Sequence, residues 1–155
     1  MGAAMLLVVS VYLGRTYERY CERTLAEMSE ILRMLSHIRG KICAFLCPQS
    51  SLLSDFYSDA LTDAGFLCKV RDGATLKDAF EGSKLSLSRH DKRALGAYFA
   101  DFGKRYKSEE ISRLDEIYRT LDESFKSERE RVPKDVKIAK TLLIAASLGI
   151  SVLMI

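Results

Sequence analysis

The chain has 155 residues, a length that predicts one compact domain. Its 24 Lys and Arg residues nearly balance 21 Asp and Glu residues, and no dense basic stripe is present, which argues against a nucleic-acid-binding protein. Only 9 Gly and 2 Pro residues occur, which excludes a turn-rich all-β chain and favours long helices.

The two ends of the chain carry no charge. Residues 1–14 and 141–155 contain no Asp, Glu, Lys or Arg. As helices they would be about 20 and 22 Å long, which is short for a hydrocarbon core of about 30 Å. Because flanking residues can lengthen them, we interpret 1–16 as an N-terminal membrane helix and 139–155 as a C-terminal one. Residues 17–138 then form a helical domain.

The charges that flank the two ends predict an orientation. Arginines follow the first end and lysines precede the second, so the positive-inside rule places the domain in the cytoplasm. A secretory signal peptide is a poor alternative, because neither a basic start nor a cleavage site of small residues is present. A third interpretation is a soluble helical domain in which the two apolar ends pack against each other and form a buried core. The flanking residues are Arg15, Arg19, Arg23, Lys134, Lys137 and Lys140.

The first part of the domain has the spacing of an amphipathic helix. Apolar residues recur every three or four positions, which predicts a helix that continues from the first apolar end and stops at Pro48. These apolar residues are Leu25, Met28, Leu32, Leu35, Ile38, Ile42 and Phe45.

In the next segment, Leu52, Phe56 and Leu61 lie on one face of a predicted helix. Ser50 or Ser51 is expected to cap its start, and Gly65 is expected to end it. Residues 66–73 are expected to form a connector between helices.

Two capping patterns then mark two further helix starts. Thr75 precedes Asp78 by three residues, and Ser88 stands in the same relation to Asp91. Gly103 is expected to close or bend the second of these helices.

Ser108 is predicted to begin the next helix, and Pro133 is predicted to interrupt it before a last helix leads into the C-terminal end. No alternating pattern long enough for a strand occurs. The sequence therefore predicts an all-α protein, with a bundle of about five cytoplasmic helices between the two ends.

Residue types that carry chemistry are few. Of four cysteines, Cys43 and Cys47 share a helical face, but no second pair completes a metal site, so we interpret the thiols as small packed groups. The sequence around His37 faintly resembles a phosphoacceptor helix, without the acidic residue that normally follows the histidine. We therefore predict no catalytic, cofactor-binding or metal-binding residue, and no enzyme activity.

Clustered charges provide a candidate interaction surface. Lys104, Arg105 and Lys107 lie together at a predicted helix junction. Such clusters are usually solvated faces, but they also suit docking of a protein with acidic groups. Two functions follow: a structural component that docks other proteins, or a membrane-tethered signalling module with His37 or the thiol pair as its sensor.

Several short motifs follow one another in a recognisable order along the chain. They are Tyr17-Glu18-Arg19, Glu22-Arg23, Leu52-Leu53, Leu87, Asp91, Leu95, Phe102-Gly103-Lys104 and Ser147-Leu148-Gly149. Their order resembles the stage III sporulation protein AB family of endospore-forming bacteria. The resemblance spans nearly the whole chain, but Pro133 and the sequence Pro48-Gln49-Ser50-Ser51-Leu52 depart from the family pattern.

The resemblance implies a function. It implies that the cytoplasmic domain has a fold similar to that of type II secretion protein F. It also implies that the protein lies in the outer forespore membrane, with this domain facing the mother-cell cytoplasm. It also implies membership of a channel complex between mother cell and forespore, with the ATPase called stage III sporulation protein AA and the other products of the same operon as partners. Cofactors, nucleic acid and small-molecule substrates are not expected.

Overall fold

All regular structure in the described part of the chain is helical. The computed structural model describes residues 2–44 and 51–153, with the side chains of residues 8–44, 51–146 and 149. The predicted all-α class is confirmed. In chain order the helices are α1 (Gly2–Ala44), α2 (Asp59–Asp63), α3 (Phe66–Arg71), α4 (Leu76–Glu81), α5 (Arg89–Asp101) and α6 (Lys107–Leu153).

The chain divides into two compact units. The helix-pair unit comprises Met1–Arg23 and Lys126–Ile155, and the core unit comprises Thr24–Phe125. The helix-pair unit therefore takes its residues from α1 and α6, whereas the core unit also contains α2, α3, α4 and α5.

In the helix-pair unit, α1 and α6 approach closely at Gly14 and are joined by an ion pair one turn later. Gly14 is buried, and a Cβ atom added there would lie 3.3 Å from Cγ of Lys140. The Lys140 ammonium donates to Oε2 of Glu18 at 2.7 Å. The glycine thus gives the lysine stem room to cross the helix and reach the carboxylate. Cys21 and Val136 are also buried in this unit.

The core unit is built around the amphipathic face of α1. Met28, Leu32, Leu35 and Ile38 are buried, as their spacing predicts. Leu25 and Ile42 are half-buried, and Phe45 lies outside the described residues. The other helices pack large apolar groups against this face, chiefly Leu61, Phe66, Leu67, Leu76, Leu95, Tyr98, Phe99, Leu114 and Leu121.

The segment after α1 differs from its prediction. A turn spans 52–55, and α2 begins later, at Asp59, with the Ser58 hydroxyl accepting from the Leu61 N–H. The predicted cap at Ser51 is therefore wrong, and Ser50 lies outside the described residues.

The predicted connector at residues 66–73 is also wrong over most of its length. Gly65 adopts a left-handed conformation (φ 81°) that ends α2, as predicted, and α3 starts immediately after it. Phe66 and Leu67 are both buried in the core. Tertiary burial of two adjacent apolar residues stabilises a helix too short to show a clear period.

Both predicted capping patterns are confirmed. Thr75 is the N-cap of α4 and accepts from the Asp78 N–H at 3.1 Å. Ser88 is the N-cap of α5 and accepts from the Asp91 N–H at 3.1 Å. Gly103 (φ 78°) follows α5 in a left-handed conformation that is accessible to glycine at little cost.

Pro133 does not interrupt the last helix. It lies inside α6, which runs unbroken from Lys107 to Leu153. An interior proline removes one backbone hydrogen bond and costs about 3 kcal/mol in an isolated helix. Pro133 is exposed, so water can solvate the carbonyl group that it leaves without a donor.

The predicted membrane-spanning helices are not supported. Among the described residues, no helix contains a segment long and apolar enough to cross a membrane.

Candidate interaction surfaces

The helix-pair unit exposes an unusual amount of apolar side chain. Val8 is 69 % exposed and Tyr12 70 % exposed on α1, and Leu142 is 64 % exposed on α6. Exposed apolar patches of this kind mark contacts with another protein or with lipid. The apolar surface, as we call it, consists of Val8, Val9, Val11, Tyr12, Leu13, Tyr17, Tyr20, Ile138, Leu142 and Ile144.

The candidate basic surface lies at the turn between α5 and α6. Lys104 is exposed and lies 3.5 Å from Oδ1 of Asp101, and Arg105 lies 4.0 Å from the other oxygen of the same carboxylate. Lys107 points elsewhere, because its ammonium donates to the Cys43 carbonyl oxygen at 2.8 Å. The structure thus groups Lys104 and Arg105 around one carboxylate and gives Lys107 a bridging role to α1.

Asp101 is the centre of this basic surface. Its Oδ2 atom accepts from Arg113 at 3.1 Å, and the hydrogen bond from Arg113 is the main influence that lowers the pKa of Asp101. The charge of nearby Lys104 acts in the same direction. Sequence reasoning singled out the cations but missed Asp101 and Arg113, which set their arrangement.

The sequence also gave no sign of a buried polar pair beneath this surface. Tyr98 and Glu110 are buried where α5 and α6 meet, close enough for the charge of Glu110 to act on the Tyr98 hydroxyl group. Burial, followed by the negative charge of Glu110, raises the pKa of Tyr98 above its ordinary value. The tyrosine therefore stays neutral.

His37 packs as a core-edge residue. Its ring lies 5.4 Å from the ring of Phe56 between centroids. Its Nε2 atom is buried and has no hydrogen-bond partner among the described residues. This nitrogen is therefore shielded from solvent by the surrounding side chains.

The three cysteines that the structure describes are free thiols. Cys21 is buried, Cys43 and Cys68 are exposed, and Cys47 lies outside the described residues, so the predicted pair cannot be placed. Within residues 2–44 and 51–153, no three His, Cys, Asp or Glu side chains come together as metal ligands would.

The described part of the chain is thus all-helical and exposes one apolar and one basic surface. The chain belongs to the stage III sporulation protein AB family, whose family model matches residues 1–155, the whole chain. The predicted family is thereby confirmed, and with it a role in sporulation. No curated protein and no solved structure matches the chain, and similarity to type II secretion protein F stays a prediction.

Proposed function

We propose that the protein is a structural component of a complex built during sporulation between mother cell and forespore. In this proposal the apolar surface holds it at the outer forespore membrane. The core unit is then presented to protein partners in the mother-cell cytoplasm, among them the ATPase stage III sporulation protein AA. The protein itself carries out no reaction.

The observation that carries this proposal is the apolar surface. Leaving it in water forfeits about 25 cal/mol for each Å² that a partner or a bilayer would cover. Tyr12, Tyr17 and Tyr20 add rings that suit the level of lipid headgroups, and the neighbouring Arg15 and Arg19 suit anionic lipids. Lipid therefore explains the composition of this surface better than a purely apolar protein contact.

Vesicle flotation tests the membrane part. The full chain should float with vesicles of phosphatidylethanolamine and phosphatidylglycerol, and Val8→Glu with Leu142→Glu should abolish flotation. Tyr106→Glu is the matched control, because Tyr106 is 80 % exposed but lies in the core unit. Wild-type protein that stays at the bottom of the gradient would contradict membrane association.

Membrane attachment would strengthen weak docking of an ATPase. Confining one partner to a surface raises its effective concentration, so contacts as modest as those of a few exposed cations become sufficient. Lys104 and Arg105 are suitable because they are exposed and share a single carboxylate, leaving a net positive face.

Charge reversal tests the docking part. Lys104→Glu with Arg105→Glu should weaken co-purification of stage III sporulation protein AA from sporulating cells. Arg119→Glu, at an exposed position of α6, reverses a charge elsewhere and should leave it unchanged. Lys107 is avoided because its hydrogen bond to Cys43 makes it structural. Equal recovery of the ATPase with all variants would contradict docking at this surface.

A further inference from the structure

A groove on the core unit lies between α4 and α5, away from the basic surface. It has a volume of about 410 Å³. Phe80, Leu85 and Gly96 form its apolar floor, and Lys92 and Arg93 lie along its rim. Phe80 is half-buried, and its ring packs on Phe99 at 5.4 Å between centroids. One face of the Phe80 ring is therefore fixed against the core, and the rest of the ring is accessible from the groove.

Gly96 keeps this floor open. It lies in the interior of α5, where glycine costs about 1 kcal/mol relative to alanine. Of the residues that the structure describes, an added Cβ atom would meet only the Phe80 ring, at the ordinary contact distance of 3.7 Å. Packing within the chain thus does not require glycine here. What the missing side chain provides is access to the edge of Phe80.

The two cations on the rim have no carboxylate of their own. Lys92 and Arg93 are exposed, and in the described part of the chain neither forms an ion pair. Lys84, exposed on the segment before α5, is likewise without an ion pair there. By contrast, Glu81 on the far side of the groove is 3.9 Å from Lys77. The α5 side of the groove therefore carries positive charge that the fold leaves uncompensated.

We propose that this groove binds an acidic amphipathic helix of a partner protein. One apolar side chain of that helix would enter over Gly96 and contact the Phe80 ring. Carboxylates one turn away would then face Lys92 and Arg93. The proposal goes beyond the function above, since it concerns another face and does not depend on the membrane.

The size and charge of the groove favour this occupant. A stable dimer needs about 800 Å² from each subunit, whereas this groove has room for one or two side chains. A second copy of the chain has a formal net charge of +3, so the positive rim of the groove would repel it. An acidic segment meets both constraints.

Fluorescence titration tests the chemistry of the occupant. The probe is a short helical peptide of Leu, Ala and Glu with one Trp, and its control has Lys in place of Glu. Because the chain contains no tryptophan, the peptide signal has no background. The acidic peptide should bind saturably, and Lys92→Glu with Arg93→Glu should weaken binding at least about tenfold. Equal binding of both peptides, or no saturable binding, overturns the proposal.

Filling the groove tests the location. Gly96→Leu should weaken binding of the acidic peptide by a similar factor. Gly40→Leu is the matched control, because Gly40 is a helical glycine at which an added Cβ atom has no described neighbour within 4 Å. Thermal unfolding confirms that both variants fold, and Gly96→Ala provides a smaller insertion if leucine is not tolerated. Unchanged binding after the groove is filled overturns the proposal.

Photocrosslinking from Ala97, which lines the groove and is exposed, tests the occupant in sporulating cells. The crosslinked peptide should contain an apolar residue flanked by carboxylates. A crosslink to a second copy of the chain or to lipid would overturn the assignment.

Discussion

The carboxylate of Glu27 accepts a hydrogen bond from the backbone N–H of Ser86 at 2.6 Å, joining α1 to the segment that precedes α5. Glu27 is completely buried within the core unit. A buried carboxylate is costly unless its oxygens are satisfied, so this contact holds the α4–α5 segment at one position on α1. The floor residue Leu85 of the groove adjoins this contact.

Loss of this contact should destabilise the core unit. In Glu27→Leu the Ser86 N–H loses its acceptor, and we expect the free energy of unfolding to fall by about 1–3 kcal/mol. Urea denaturation measures the change. Glu27→Gln keeps an acceptor oxygen and should cost less, while Glu22→Leu at an exposed position of α1 controls for the added apolar group. A Glu27→Leu variant as stable as wild type would show that the hydrogen bond is dispensable.

The cap of α5 should contribute measurably to stability. Ser88→Ala removes the side-chain acceptor of the Asp91 N–H and should lower the free energy of unfolding by about 1 kcal/mol. Ser112→Ala is the control, because its hydroxyl only donates to the Ser108 carbonyl oxygen one turn back in α6. Equal stability of the two variants in the same denaturation experiment would contradict a capping role.

Asp101 should titrate below the ordinary value of about 3.9 for a free aspartate. Its pKa is lowered in the folded state, chiefly by the hydrogen bond from Arg113. The pair therefore stabilises the fold above the unfolded-state pKa, and this contribution is lost as the pH falls through the lowered value. Carboxyl-detected NMR titration should show the pKa rising in Arg113→Gln, and rising less in Lys104→Gln. An unchanged pKa in Arg113→Gln would refute this assignment.

Two glycines of α1 should respond differently to alanine. At Gly40 the added methyl group meets no described residue within 4 Å, so Gly40→Ala should gain about 0.5–1 kcal/mol from helix propensity. At Gly14 the Cβ atom would lie 3.3 Å from Cγ of Lys140, so Gly14→Ala should gain less.

A larger side chain sharpens this comparison. Gly14→Leu should cost about 1–3 kcal/mol, because it displaces Lys140 from Glu18. Thermal unfolding of the full chain measures the stability of Gly40→Ala, Gly14→Ala and Gly14→Leu relative to the wild type. A Gly14→Leu protein that melts with the wild type would mean that Gly14 does not limit packing in the helix-pair unit.

Much of the helical framework was predictable because its signals are local. The three- and four-residue spacing from Met28 to Ile38 and the serine and threonine caps at Thr75 and Ser88 depend on residues within one or two turns. The predicted starts of α4 and α5 are therefore confirmed. The helix through Pro133 was missed because local propensity there is overridden by the rest of α6.

The candidate surfaces were less predictable, since they depend on residues far apart in sequence. The basic cluster near Lys104 was visible as a run of charges, but its organising carboxylate, Asp101, and the partner Arg113 were not. The groove of Phe80 and Gly96 gave no pattern at all, because it exists only where α4 and α5 meet.

The amino-acid sequence alone established the all-α class, the uncharged ends and the capped helix starts, since each depends on short-range periodicity or composition. The family was predicted from a resemblance in the order of its motifs. Packing settled the rest. It placed Glu27 in the core, made α3 helical after Gly65 and left Phe80 partly exposed beside Lys92 and Arg93, which form no ion pair with a described residue. These outcomes depend on which distant side chains share a contact, which a linear pattern does not specify.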